Sequence, residues 1–156
     1  MAIYFYSDRE QPYGCFSNFS RHGFELDGYW WPTSEHYFQA QKFVDTDRLW
    51  FDKIREVKMP KDAANMGRES PADTLRERRH LLRQDWEEVK DEIMQQAVLQ
   101  KFSTHADIRE ILLNTGDELL VENARNDYYW GCGADGSGNN KLGEILVIVR
   151  EILRKQ

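Results

Sequence analysis

The sequence predicts an α+β fold, a single helix-rich domain over residues 1–156 with a few short strands. Three observations point there. The first thirty residues are β-leaning, with short apolar runs separated by glycine and polar turns. From Trp31 onward, helical periodicities with recognisable caps follow one another. A length of 156 residues with no linker-like stretch suits one core rather than two.

Residues 3–6 read as a short apolar strand, and residues 15–19 and 24–26 as further strands. Pro32 followed by Thr33 or Ser34 marks a helix start, because the hydroxyl can accept from an orphan backbone N–H of the first turn, and the pattern carries the helix over 33–44. Asp47 caps a second helix reaching about Val57. Pro60, in a first-turn position, opens a third that ends at Gly67. Between Arg68 and Gln84, Pro71 and Asp73 with Arg76, Arg78, Arg79 and Arg83 suggest a loop or peripheral helix, either a solvated surface or an anion-binding edge. Trp86, Val89, Ile93 and Ala97 then recur with helical spacing to about Phe102 behind a possible Asp85 cap, and this is the expected spine of the core. A helix over 106–114 stopped by Thr115-Gly116, a short strand at 119–121 and a closing helix over 142–153 complete the chain.

The formal net charge of −6 argues against a general nucleic-acid coat or an anionic membrane partner, both of which need a broad positive field. The chain has no apolar run of transmembrane length and no signal-peptide start, so a cytoplasmic location is expected. Its two cysteines, Cys15 and Cys132, are too few for a disulfide framework, which fits a reducing compartment. The histidines lack zinc-binding spacing, and neither a metal nor a cofactor is expected. Five tryptophans are a heavy load for a small acidic chain and could supply a surface for a flat ring.

The densest chemistry lies in Trp31-Pro32-Thr33-Ser34-Glu35-His36-Tyr37-Phe38-Gln39-Ala40-Gln41-Lys42-Phe43. At ~100° per residue, Glu35, Gln39 and Lys42 fall within about 60° of one another and share a narrow face, with Tyr37, Ala40 and Val44 opposite. That face could be a chemical unit or the solvated side of an ordinary amphipathic helix. The nearby helix N-terminus favours an ionised Glu35. A second concentration spans residues 122–143. Gly131, Gly133 and Gly136 spell a dinucleotide-binding fingerprint, but too little chain follows to complete a βαβ unit. Glycine backbone and the residues before the last helix could instead meet a phosphate or sugar. Asp127, three residues before Trp130, could combine acid–base chemistry with a stacking platform.

These two blocks, with Phe16-Ser17-Asn18-Phe19, Met66-Gly67-Arg68, Asp85-Trp86-Glu87, Lys101-Phe102 and Asn140-Lys141-Leu142-Gly143, resemble the NADAR family and most closely its bacterial YbiA-like members. The match runs in order over nearly the whole chain, although residues 69–83 look longer than the family's usual connection. The resemblance implies a compact α+β domain and an N-glycosidase that cleaves the bond between ribose and a base. For the YbiA-like members it implies the phosphoribosylamino-pyrimidine intermediates of riboflavin synthesis as substrates, with ribose 5-phosphate released. For other members it implies removal of ADP-ribose from guanine in DNA or RNA. It also implies functional roles for Glu35, Trp86, Asp127 and Trp130, with Lys42 as an addition.

Leaving of a base from ribose needs charge development at the anomeric carbon and protonation of the departing nitrogen, work suited to paired carboxylates. Glu35 and Asp127 are the expected pair, in either order of roles. Lys42, or else Lys101, could form a Schiff base with an opened sugar. Trp86 and Trp130 would stack on the base, and Arg68 with the glycine-loop backbone around Gly131 and Asn140 would hold phosphate. The expected partner is thus a small phosphoribosylated pyrimidine or an ADP-ribosylated guanine. A non-catalytic ADP-ribose or nucleotide binder is a further reading, and a nucleic-acid substrate would draw on the cluster from Arg76 to Arg83.

Overall fold

A computed structural model describes residues 1–68 and 82–156 of the chain. The expected basic edge at Arg76, Arg78 and Arg79 lies outside the described residues. The described part is α+β, with four short strands and six α-helices. In order these are β1 (Ala2–Phe5), β2 (Phe24–Leu26), β3 (Tyr29–Trp31), α1 (Ser34–Gln41), α2 (Arg48–Glu56), α3 (Pro60–Gly67), α4 (Trp86–Thr104), α5 (Ala106–Leu113), β4 (Leu119–Glu122) and α6 (Lys141–Arg154). None of the described helices is long and apolar enough to cross a membrane.

The strands form two separate pairs. β1 and β4, from opposite ends of the sequence, run parallel with Ile3 opposite Leu120. β2 and β3 form an antiparallel hairpin with Phe24 opposite Trp31. Its two-residue connection is Asp27-Gly28, both at positive φ (56° and 87°), the geometry whose twist matches a hairpin and which glycine adopts without strain. The expected strand at 15–19 is instead a 3₁₀ turn, Tyr13–Phe16, with the Ser17 N–H on the Gly14 carbonyl at 3.1 Å. Phe16 is thus buried by a tight turn rather than by a pleat, with Tyr13 partly buried beside it. Phe16 packs edge-on to Phe5 and against Phe102.

Two side-chain caps and one first-turn proline account for three of the six described helix starts. Thr33 accepts the His36 N–H at the start of α1, and Asp47 accepts the Trp50 N–H at the start of α2. Pro60 opens α3, where its missing N–H costs nothing. Asp85 precedes α4, but its side chain makes no cap. It receives Arg83 Nε at 2.7 Å and Nη2 at 3.1 Å, so Arg83 is tied to the helix entrance rather than free for an anion.

α1 sits at the centre, packed on α2, α3, α4 and β3. Of the two readings of this helix face, the solvated one does not hold: all eight α1 residues are buried, including Glu35, His36 and Gln39. His36 is satisfied from both ring nitrogens, by Thr33 Oγ1 at 2.8 Å and the Val57 carbonyl at 2.8 Å. α4 forms the second wall of the core, against α1, α5, α6 and β2.

Trp31 ties the hairpin to this core. It is fully buried, donates Nε1–H to the Leu26 carbonyl at 2.9 Å and lies edge-on to Tyr37, Phe51 and Tyr29. Trp31→Ala should lower unfolding stability in urea by about 3–5 kcal/mol, the cost typical of removing a large buried aromatic side chain. A loss below ~1 kcal/mol would show that the hairpin is peripheral to the cooperative core.

Candidate active site

A cavity of about 1080 Å³ opens at the carboxyl ends of the parallel strands β1 and β4, where side chains leaving a sheet converge on open space. Residues 6–8 line it after β1 and residues 122–127 after β4. α1 and α3 form the facing walls through Glu35, Phe38, Gln39, Lys42, Lys61, Asn65 and Arg68.

The α1 wall is anchored by the turn at 17–19. The Asn18 carbonyl accepts the Glu35 N–H at 3.2 Å, and Asn18 Oδ1 accepts Ser34 Oγ at 2.8 Å. This fixes the first turn of α1 and aims Glu35 into the cavity. Its Oε2 accepts Gln39 Nε2 at 2.8 Å and lies 3.7 Å from Arg68 Nη2. Gln39 fits here because position 67 is glycine; any Cβ there would collide with Gln39 Oε1. The helix N-terminus does not decide the Glu35 charge state. Burial pushes the carboxyl upward against the Gln39 hydrogen bond and the positive charges of Arg68 and Lys42. A helix end contributes about 0.3–1 kcal/mol, less than the several kcal/mol of removing a carboxylate from water.

Lys42 follows the last residue of α1 and shares the Glu35 wall, as its spacing predicts. Its Nζ donates to the Gly67 carbonyl at 2.8 Å and lies 5.8 Å from the Phe38 ring centre and 5.6 Å from that of Trp86. Burial lowers this lysine to about 8, leaving a neutral fraction near physiological pH.

Across the cavity, Asp127 Oδ1 accepts the backbone N–H groups of Tyr129 at 2.9 Å and Trp130 at 2.8 Å. One oxygen is thereby fixed and the carboxylate held in one orientation. The same turn presents Trp130, whose indole lies edge-on to Phe38 with ring centres 5.2 Å apart. The cavity thus gathers Glu35, Lys42, Arg68, Asp127 and Trp130 from segments distant in sequence.

Three other expected site residues lie off the cavity lining. Trp86 is buried behind it, with its ring 5.0 Å from that of Phe38, and so backs the wall rather than forming it. Gly131 is buried, and its carbonyl accepts the Asn140 N–H. The Asn140 side chain bridges strand backbone, accepting from the Glu122 N–H and donating to the Leu120 carbonyl, both at 2.9 Å. Lys101 is also buried away from the cavity, where it donates to the Ser17 carbonyl at 2.9 Å and supports the turn that anchors Glu35.

Sequence reasoning missed Glu122. It ends β4, lines the cavity and is raised to about 7, first by burial and then by Asp127 and Glu35. A lone glutamate closing a strand carries no local signature, and only the parallel pairing with β1 brings it to the site. Between the ordinary glutamate range and about 7, the folded protein holds this proton while the unfolded chain has released it, so Glu122 makes stability fall as pH rises. Glu122→Gln should therefore gain stability relative to wild type between pH 4.5 and 7. Thermal unfolding across that range checks this, and a constant difference between the two proteins would refute it.

Comparison with known proteins places this site in a family. Residues 4–154 match the NADAR domain. The chain is 53% identical to "N-glycosidase Npun_R5314" of Nostoc punctiforme over 155 residues, covering 99% of this chain and 94% of that one. It is 40% identical over 151 residues to the maize "Riboflavin biosynthesis protein PYRR, chloroplastic", covering 90% of this chain and 24% of that larger protein. The NMR structure of the Escherichia coli protein YbiA shares the fold, with a TM-score of 0.85 at 44% identity, covering 99% of this chain and 86% of that one. With the family match spanning almost all of its length, the chain belongs to the NADAR domain family.

Proposed function

We propose that the chain is an N-glycosidase that hydrolyses the bond between ribose 5-phosphate and the amino group of a pyrimidine intermediate of riboflavin synthesis. The observation that carries this reading is the convergence of Glu35, Glu122 and Asp127 on one cavity beside the Trp130 indole. The names of the relatives from Nostoc and maize support the reaction and the substrate class.

In the proposed reaction the pyrimidine lies against Trp130, the one indole on the cavity lining, backed by Phe38 and, behind it, Trp86. Glu35, whose carboxyl burial pushes upward, is the group placed to give a proton to the departing amine. Asp127, fixed by two N–H groups, faces the positive charge that develops at the anomeric carbon and then orients the incoming water. Water supplies a hydroxyl to that carbon and a proton to restore the acid, so that ribose 5-phosphate and the free aminopyrimidine leave.

The depressed Lys42 favours a second route. An opened glycosylamine is an imine, and neutral Lys42 can add to its carbon, forming a new nitrogen–carbon bond as the pyrimidine amine departs with a proton. Water then releases the sugar from the lysine. Removal of ADP-ribose from guanine in a nucleic acid has less support, because the maize relative's name points to riboflavin synthesis and none of the relatives named above points to a nucleic-acid substrate.

Purified protein mixed with the phosphoribosylamino pyrimidine should release ribose 5-phosphate, and Glu35→Gln and Asp127→Asn should each lower kcat by about 10²-fold or more. Unchanged turnover in both variants would sink the carboxylate assignment. Borohydride added during turnover should give an intact-mass adduct that Lys42→Gln lacks if the imine route operates; no adduct in wild type leaves direct hydrolysis as the route.

A further inference from the structure

We infer that the exposed face of α3, built from Lys61, Asn65 and Arg68, holds the 5′-phosphate of the substrate; this rests on the ribosyl-phosphate reading above. The glycine-rich loop, which sequence reasoning joined to Arg68 for that task, has spent most of its donors and does not line the cavity. The N–H groups of Cys132, Gly133, Gly138, Asn139, Asn140, Lys141 and Leu142 are all bonded to backbone carbonyls at 2.7–3.1 Å. Those of Ala134 and Ser137 go to Tyr128 Oη and Asp135 Oδ1. A phosphate arriving at this loop would have to break the hydrogen bonds that shape it.

α3 offers the opposite situation. Lys61 and Asn65, four residues apart, lie on one side of α3 beside the small Ala64, and Arg68 follows at the helix C-cap, where the backbone has turned extended. All three are exposed and line the cavity. Among the described residues, Lys61 and Asn65 make no side-chain hydrogen bond or ion pair, and Arg68 makes only the 3.7 Å contact to Glu35. The buried side of the same helix, Pro60, Ala63 and Gly67, is seated in the core and holds the row rigid.

Charge fixes the direction in which the sugar phosphate enters. Asp127 lies on the β4 side, where its carboxylate would repel a phosphate dianion. Among the described residues, the two remaining lining cations serve less well. Lys42 is engaged with the Gly67 carbonyl, and Arg125 lies on the acidic segment between Glu122 and Asp127. A phosphate on α3 leaves the anomeric carbon facing the carboxylates and the base facing Trp130. The row therefore selects phosphorylated ribosides over the free nucleoside-like compounds.

Calorimetry with ribose 5-phosphate and with ribose, together with kinetics on the phosphoribosylamino pyrimidine and its dephosphorylated form, tests this. Wild type should bind ribose 5-phosphate in preference to ribose. Lys61→Gln should weaken that binding and raise KM for the phosphorylated substrate by about 10-fold, the size of one lost charge-assisted hydrogen bond, with kcat retained and the dephosphorylated substrate unaffected. Asn65→Ala should act in the same direction with smaller effect. Equal losses on both substrates, no loss at all, or a phosphate-specific loss in Arg125→Gln instead would overturn the assignment. Retained selectivity for ribose 5-phosphate, lost in Lys61→Gln, without turnover by wild type would leave the phosphate site standing and refute the glycosidase reading.

Discussion

Burial of the first turn of α1 is the constraint on which the site depends. A helix that places Glu35, His36 and Gln39 out of water must find partners for their polar atoms, and the surrounding elements supply them for most, with Gln39 Oε1 left unpaired among the described residues. Thr33 and Val57 satisfy His36, Gln39 and Arg68 answer Glu35, and the turn at Asn18 receives the Glu35 N–H. Lys101 holds that turn from α4, and Gly67 makes room for Gln39 from α3. Each contact is modest alone. Together they fix a carboxyl group in an environment where its neutral form is favoured, the property that an acid catalyst near neutral pH requires.

The same arrangement explains two buried lysines with different positions. Lys101 is lowered to about 7 by burial, yet it does not line the cavity, and its hydrogen bond goes to the Ser17 carbonyl. Lys42 is lowered less and stands on the cavity wall. A nucleophile must reach the reacting carbon, so access separates these two candidates where depressed basicity does not. Lys101 is better understood as a support beneath the turn that positions Glu35.

Local chemistry was legible in the sequence wherever one residue acts on its near neighbours. Thr33, Asp47 and Pro60 marked helix starts, and the spacing of Glu35, Gln39 and Lys42 placed them on one wall. The hairpin was present as the Asp27-Gly28 pair between Leu26 and Tyr29, although short flanking strands concealed it. What sequence could not supply depended on distance. The β1–β4 pairing joins the two ends of the chain and brings Glu122 to the site; no periodicity announces it. The burial of α1 was hidden for a similar reason, since a polar helix face looks the same whether it meets water or a set of matching partners. The glycine loop misled because its backbone donors, so suggestive of phosphate binding, close the loop upon itself.

Glu35, Glu122 and Asp127 in one cavity would be a costly arrangement if all were charged, and burial works against that state. Glu35 and Glu122 are both driven toward their neutral forms by burial, with Asp127 adding to the push on each. Burial thus favours the protonated form of both carboxyls relative to an exposed glutamate. When the sugar–nitrogen bond breaks, positive charge appears at the anomeric carbon and the departing nitrogen needs a proton. A proton on one of these carboxyls can meet the second need, and giving it up leaves a carboxylate whose negative charge answers the first. The cost of crowding acids together is in this way recovered in the transition state, when cationic charge enters the space between them.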